Sequence, residues 1–204
     1  IRDLESQNQA LQETQGRLAG LVAVDQAFEG VSSGSKAVLD WASSSPAGAG
    51  ARFLLDLFEV SPGFELALEG ALEGRLQAVL FSDPSLLAEA QAQVKAQGVG
   101  RVCLVAADLV EAHESSWGDV ITAVETAGGV VRGSLADHVK VFAPGVVGVA
   151  AYQEIGKVLV VEALPAPENF GAITRALGHR TLVSLTGEVL EGGGTPVSYT
   201  HLTM

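Results

Sequence analysis

Cysteine is nearly absent from this chain of 204 residues: Cys103 stands alone, so no disulfide framework can form within one copy. Its apolar neighbours, residues 102–105, predict a buried core thiol. Aromatic residues make up only 5%, embedded in apolar runs, too few for a base-stacking platform. Basic residues are scarce as well. Twelve Lys and Arg face 24 Asp and Glu, and the net charge of -12 argues against broad phosphate binding by the whole surface, though not against a local patch. No run of 18 apolar residues exists, so no membrane span is expected. The opening Ile1-Arg2-Asp3-Leu4-Glu5 is charged, no apolar secretory region follows, and a cytoplasmic location is the default. A start at Ile1 suggests a piece of something longer.

The motifs of common catalysis are missing too. A phosphate-binding G-x-x-x-x-G-K-[ST] loop fails at both ends around Gly156-Lys157, where Val158 follows and Ala151 stands in place of the first glycine. Gly98-Val99-Gly100 lacks the third glycine of a dinucleotide fingerprint. His113, His138, His179 and His201 show no metal-ligand spacing with Cys103 or one another, and no G-x-S-x-G elbow occurs. Asp56 and Glu59, three apart on an expected strand, point to opposite faces. The expectation is therefore no catalytic residue, no metal and no cofactor in this segment.

What is present is ample apolar content, 48% of residues, enough for a substantial core. Leu4, Leu11 and Leu18 stand seven apart, with Ile1, Asn8, Gln15 and Val22 at the alternate positions. That pattern predicts a short stub of coiled coil over residues 1–28, or else a single amphipathic surface helix. Gly30-Val31-Ser32-Ser33-Gly34 breaks it, and residues 43–50 (SSSPAGAG) predict a flexible loop. A strand is expected over residues 52–60. In residues 59–83, Pro62-Gly63 opens a helix whose buried face is Phe64, Leu66, Ala67, Ala71 and Leu72, Gly74 closes it, and residues 77–81 form a buried strand. Asp83 is placed to cap a helix over residues 84–97, with Gly98 beyond its end and a strand over 102–106. A helix over 117–127 follows. Further strands are expected at 130–133, 139–142, 146–151, 157–161 and 181–185, with a helix near 169–177. The order predicts a mixed α/β (α+β) fold, and the similarity of residues 76–80 to 156–161 suggests an internal duplication.

Residues 59–83 and five further phrases, which run in order along the chain, resemble the hinge domain of SMC (structural maintenance of chromosomes) proteins, of the bacterial chromosome-segregation type. Residues 59–83 (EVSPGFELALEGALEGRLQAVLFSD) resemble that family's "PxxYExALExALGxRLQxVVV", and residues 53–60 its "GxxADLIEV" strand. Residues 100–105 are similar to "GRxTFLPL", 155–162 to "LLGxVLVVEDL", and 180–190 to "xRxVTLDGEVL". Gly34-Ser35-Lys36-Ala37-Val38-Leu39 resembles the family's first strand. The resemblance implies a two-subdomain hinge, residues 34–128 and 129–194, preceded by a coiled-coil helix. It implies a homodimer in which the first subdomain of one copy pairs with the second of the other. Gly74, Arg75, Gly187, Gly192, Gly193 and Gly194 fall where the family has its interface, since glycine permits close backbone approach. It also implies a parent ATPase whose ATP-binding heads are absent here, a nucleoid-associated location, and weak, salt-dependent DNA contact, for which Lys36, Arg101 and Arg180 are the candidates. Residues 195–204 depart from the family and resemble translated sequencing-adaptor sequence. From a different class, a small α/β enzyme or nucleotide-binding domain would place a pocket near Gly98 and Arg101.

Overall fold

The computed structural model describes residues 33–45, 50–98, 100–109, 116–192 and 196–197, and for 196–197 the backbone only. The coiled-coil reading of residues 1–28 lies outside the described residues, as do Gly193 and Gly194. Six α-helices and ten strands are described, a mixed α+β fold.

The first described element is a helix, α1 (Ser33–Ser44), where the resemblance implied a strand. Buried Gly34, Val38 and Ala42 recur every four residues, with Ala37 beside them, which is a helical stripe. Gly34 is required there: a Cβ would lie 2.5 Å from the Arg101 carbonyl oxygen. The run over 52–60 is not one strand either. It is β1 (Arg52–Phe53), a 3-10 turn (Leu55–Leu57) and β2 (Phe58–Val60), and the turn buries Leu54 and Leu57 while β1 and β2 leave for different sheets.

Helix α2 (Glu65–Leu72) buries Ala67, Leu68, Ala71 and Leu72, so the inward face is shifted from the expected one. Leu68 faces the core and Leu66 faces out, 41% exposed. The helix closes one residue before Gly74, at Glu73, whose φ of 42° and ψ of -126° are unusual for a residue with a side chain. A 3-10 segment (Glu73–Gln77) then leads to β3 (Val79–Phe81), buried throughout. Asp83 is not the helix cap: α3 (Leu86–Gln97) starts two residues later than expected, with Ser85 at its cap position, and the Asp83 Oδ1 instead accepts from the Ser85 amide at 2.9 Å in the turn before it. The helix ends at Gly98 in the left-handed region as expected. Next is β4 (Leu104–Ala106), preceded by Cys103, which is half-buried rather than a sealed core thiol. Helix α4 (Gly118–Thr126) falls within its predicted range.

The second half holds β5 (Val131–Ser134), β6 (Val139–Val141), α5 (Gly145–Gly156), β7 (Val158–Val161), α6 (Phe170–Leu177), β8 (Thr181–Ser184), β9 (Val189–Glu191) and β10 (Pro196–Val197). The expected strand at 146–151 is part of α5. A short all-apolar run fits either geometry, and only the burial of Ala150, Ala151 and Ile155 at helical spacing decides it. The order helix–strand–helix–strand occurs twice, as α2-β3-α3-β4 and α5-β7-α6-β8, each ending in a parallel strand pair.

Strand β3 lies between β1 and β4 in a three-stranded sheet, and a five-stranded sheet runs β10-β9-β8-β7-β5. The two halves are stitched by a ribbon in which β2 pairs antiparallel with β6, Phe58 opposite Val141 and Val60 opposite Val139. Strand β7 (VLVV) is buried on both faces, hence its unbroken apolar run. Val158 and Val160 join a core shared with Leu54, Leu72 and Leu80 of the first half, while Leu159 and Val161 join a second core beneath α4 and α6.

Candidate functional site

The turn that leaves α2 begins at Glu73 and is anchored by Arg75. Its guanidinium donates through Nη2 to the Ala71 carbonyl (3.2 Å) and through Nη1 to Glu154 Oε2 on α5 (2.8 Å). The same carboxylate oxygen takes Lys157 Nζ at 3.1 Å. Gly74 sits between these anchors, and a Cβ on it would meet nothing within 4 Å.

The turn forms one wall of a cleft of about 500 Å³. Gly74, Arg75, Glu73 and Cys103 contribute from the first half, and Lys157, His179, Arg180, Glu191 and Gly192 from the second. Gly74, Arg75, Arg180 and Gly192, four of the residues singled out from sequence, are thus brought to one cleft. Gly187 is elsewhere, in the turn between β8 and β9 with φ 86°, facing the Leu66 carbonyl. There the absent side chains of Gly187 and Gly192 serve the chain itself. A Cβ on Gly192 would lie 1.9 Å from the Gly178 carbonyl oxygen, and a Cβ on Gly70 would lie 2.3 Å from that of Gly187. Gly74 has no such internal demand.

The cleft carries cations that are already partnered. Arg75 and Lys157 share Glu154. Arg180 pairs with Asp119 at 3.2 Å, donates to the Ala176, Leu177 and Ser116 carbonyls, and lies 5.2 Å from the Trp117 ring centre. Its hydrogen bond holds the Asp119 carboxyl below its usual range. Burial pushes the Cys103 thiol up, outweighing the nearby Arg75 charge. Of the other DNA candidates, Arg101 is exposed and Lys36 half-buried, near one another through the contact of Gly34 with the Arg101 carbonyl. Arg180 is committed to its own partners.

This cleft is not at Gly98 and Arg101, where the enzyme reading would put a pocket. No group of three or more His, Cys, Asp or Glu residues able to hold a metal occurs among the described residues. No described helix is long and apolar enough to cross a membrane. Sequence reasoning missed Glu154 and Lys157. The partner of Arg75 lies 79 residues away, a separation that no local pattern reports.

The family model described as the SMC proteins Flexible Hinge Domain matches residues 50–168. The chain is similar to an asymmetric dimer of the Geobacillus stearothermophilus SMC hinge domain, with TM-score 0.74 and 23% identity over 96% of this chain and 77% of that one. It is similar to the Pyrococcus furiosus Smc hinge domain with an extended coiled coil, with TM-score 0.61 and 18% identity over 98% and 69%. A second Pyrococcus furiosus SMC hinge structure gives TM-score 0.57 and 19% identity over 90% and 94%. At such identities the solved structures speak for the fold alone. No curated protein matches the chain.

Proposed function

The chain belongs to the SMC flexible hinge family, a non-catalytic dimerisation fold, and on that premise we propose that two copies pair across the cleft that holds Gly74, Arg75 and Gly192. The observation that carries the reading is that the Gly74 turn and Gly192 come from the two halves of the chain, residues 34–128 and 129–194, yet line the same cleft. A twofold contact there sets the Gly74 side of one copy against the Gly192 side of the other, so each half of one copy meets the opposite half of its partner. Gly74, with open space where a side chain would be, is the point of closest approach.

In this reading the hinge joins two coiled-coil arms of a longer SMC ATPase that organises chromosomes. The ATP-binding heads belong to other parts of that protein, and the hinge needs no cofactor. It acts in the cytoplasm on the nucleoid. DNA contact is a minor component. It falls to Lys36 and Arg101 rather than Arg180, and it weakens steeply with salt, given the net charge of -12.

Light scattering on the 204-residue chain across micromolar concentrations tests the pairing. The expected result is a dimer, converted to monomer by Gly74→Glu. A chain that is monomeric at every concentration overturns it.

A further inference from the structure

Glu73 holds a backbone conformation that residues with side chains avoid, at φ 42° and ψ -126°. Among the described residues it is the one non-glycine with positive φ. Such a conformation persists only where the surroundings over-determine it, and it gathers at functional positions. Here the surroundings can be named. On the helix side, the Glu73 amide donates to the Glu69 carbonyl. On the far side, Arg75 grips two elements at once, the Ala71 carbonyl at the end of α2 and Glu154 on α5. Lys157 holds the same Glu154 oxygen at 3.1 Å, and the Ala78 amide closes on the Arg75 carbonyl at 2.9 Å. The strained turn is therefore fixed from one half of the chain to the other, and a Cβ added to Gly74 within it would meet nothing within 4 Å.

We propose that Arg75 and Glu154 are positioning residues for dimerisation, a clasp that locks the Glu73–Gly74–Arg75 turn in the shape the second copy meets. This rests on the reading that copies pair across the Gly74 cleft. The geometry requires more than a charge at each end. Arg75 reaches two acceptors because the guanidinium presents several donors in a fixed fork, which an ammonium group cannot do. Glu154, with a side chain 20% exposed, serves two cations through one oxygen, so removing its charge releases both.

The test uses the full chain and two variants, Glu154→Gln and Arg75→Lys, with the dimer dissociation constant read by sedimentation over a concentration series. Each is expected to weaken pairing about tenfold, the scale of coupling between residues in one ion-pair network. To separate positioning from folding, Glu154→Gln is also placed in the monomeric Gly74→Glu background, where its melting temperature is expected to stay within about two degrees. Dissociation constants within twofold of the parent, while Gly74→Glu abolishes pairing, overturn the clasp and leave the pairing intact. A large melting loss in the monomeric background also overturns it, because the ion pair is then a plain fold contact. Unchanged pairing in Gly74→Glu, or a parent chain that never dimerises, removes the pairing reading and the clasp with it.

Discussion

Gly70→Ala is the sharpest probe of how the candidate site is held in place. Gly70 lies within α2, and a Cβ there would sit 2.3 Å from the Gly187 carbonyl oxygen, 2.9 Å from its carbon and 3.0 Å from its Cα. Ordinary carbon contacts settle near about 3.5 Å, so the oxygen is more than 1 Å too close. Both sides of the clash are backbone. One belongs to a helix, the other to a turn whose φ of 86° leaves it little room to shift. Overpacking of this kind costs about 1–3 kcal/mol, and a contact so short argues for the upper end. Alanine is the better helix former and returns up to about 1 kcal/mol. The balance is a loss of about 2 kcal/mol, or roughly 4–8 °C in melting temperature for a chain of this size. Far-UV circular dichroism during thermal unfolding measures it, with Gly171→Ala in α6 as the control, since a Cβ there meets nothing within 4 Å. The control is expected to melt at or slightly above the parent. A Gly70→Ala chain that melts as high as the parent would refute the close seating of α2 on the turn between β8 and β9, and with it the placement of the Gly74 turn.

Glu73→Gly relieves a strained residue at some cost in unfolded-state freedom, so a net gain of about 1 kcal/mol is expected, seen as a melting temperature raised by roughly 2–4 °C; a fall would show that the φ of 42° carries no strain. Ile155→Ala removes a fully buried side chain from the core shared by both halves and is expected to cost about 2–5 kcal/mol. Trp41, beside Phe81 on β3, and Trp117, against the second core, report different parts of the fold, so urea unfolding followed by each in turn, in Trp117→Phe and Trp41→Phe variants, should match the circular dichroism transition of the same variant, and a mismatch within one variant would contradict a single cooperative unit. The Asp119 carboxyl is held below its ordinary value of 3.8 by Arg180, so its contribution is present above that pH and is lost as pH falls through the lowered value. Asp119→Asn should flatten the acid limb of the stability curve, and an unchanged limb would rule the pair out. Burial raises the Cys103 thiol above 9.0, so alkylation near neutral pH should run slower in the folded chain than in urea, and equal rates would show the thiol to be unshielded.

Where punctuation and period agreed, the sequence was a sound guide. Pro62-Gly63 ahead of α2, Gly98 at the end of α3, and the apolar run that became β7 were all legible, because each signal is local. The errors have different causes. Residues 146–151 are a short run of Val, Ala and Gly that fits a strand or a helix, and the core it packs against makes it part of α5, while residues 34–39 were read as a strand by resemblance and form the start of α1. The strand expected over 52–60 failed for a different reason: it had to serve two sheets, which forced the turn at Leu55–Leu57. Of the glycines singled out by resemblance, Gly74 and Gly192 line one cleft and Gly187 lies apart from it. The reason each glycine is glycine was not legible, because Gly70 against Gly187 and Gly192 against Gly178 are contacts between segments far apart or turned back on themselves.

The family's description as a flexible hinge invites the idea that the two halves of one chain swing apart. The packing opposes it. Leu72 and Leu80 from the first half and Leu135 and Ile155 from the second lie in one cluster, each at most 1% exposed. Uncovering a side chain of that size costs about 1.5–3 kcal/mol, so exposing these four costs roughly 6–12 kcal/mol. That approaches the whole stability of a typical domain, about 5–15 kcal/mol, before the β2–β6 ribbon or the Arg75–Glu154 pair is broken. A motion that expensive is unfolding rather than hinging. The chain bends at little cost only where its surface makes no such core, so on the proposed pairing the compliance belongs to the contact between copies rather than to the core of each one.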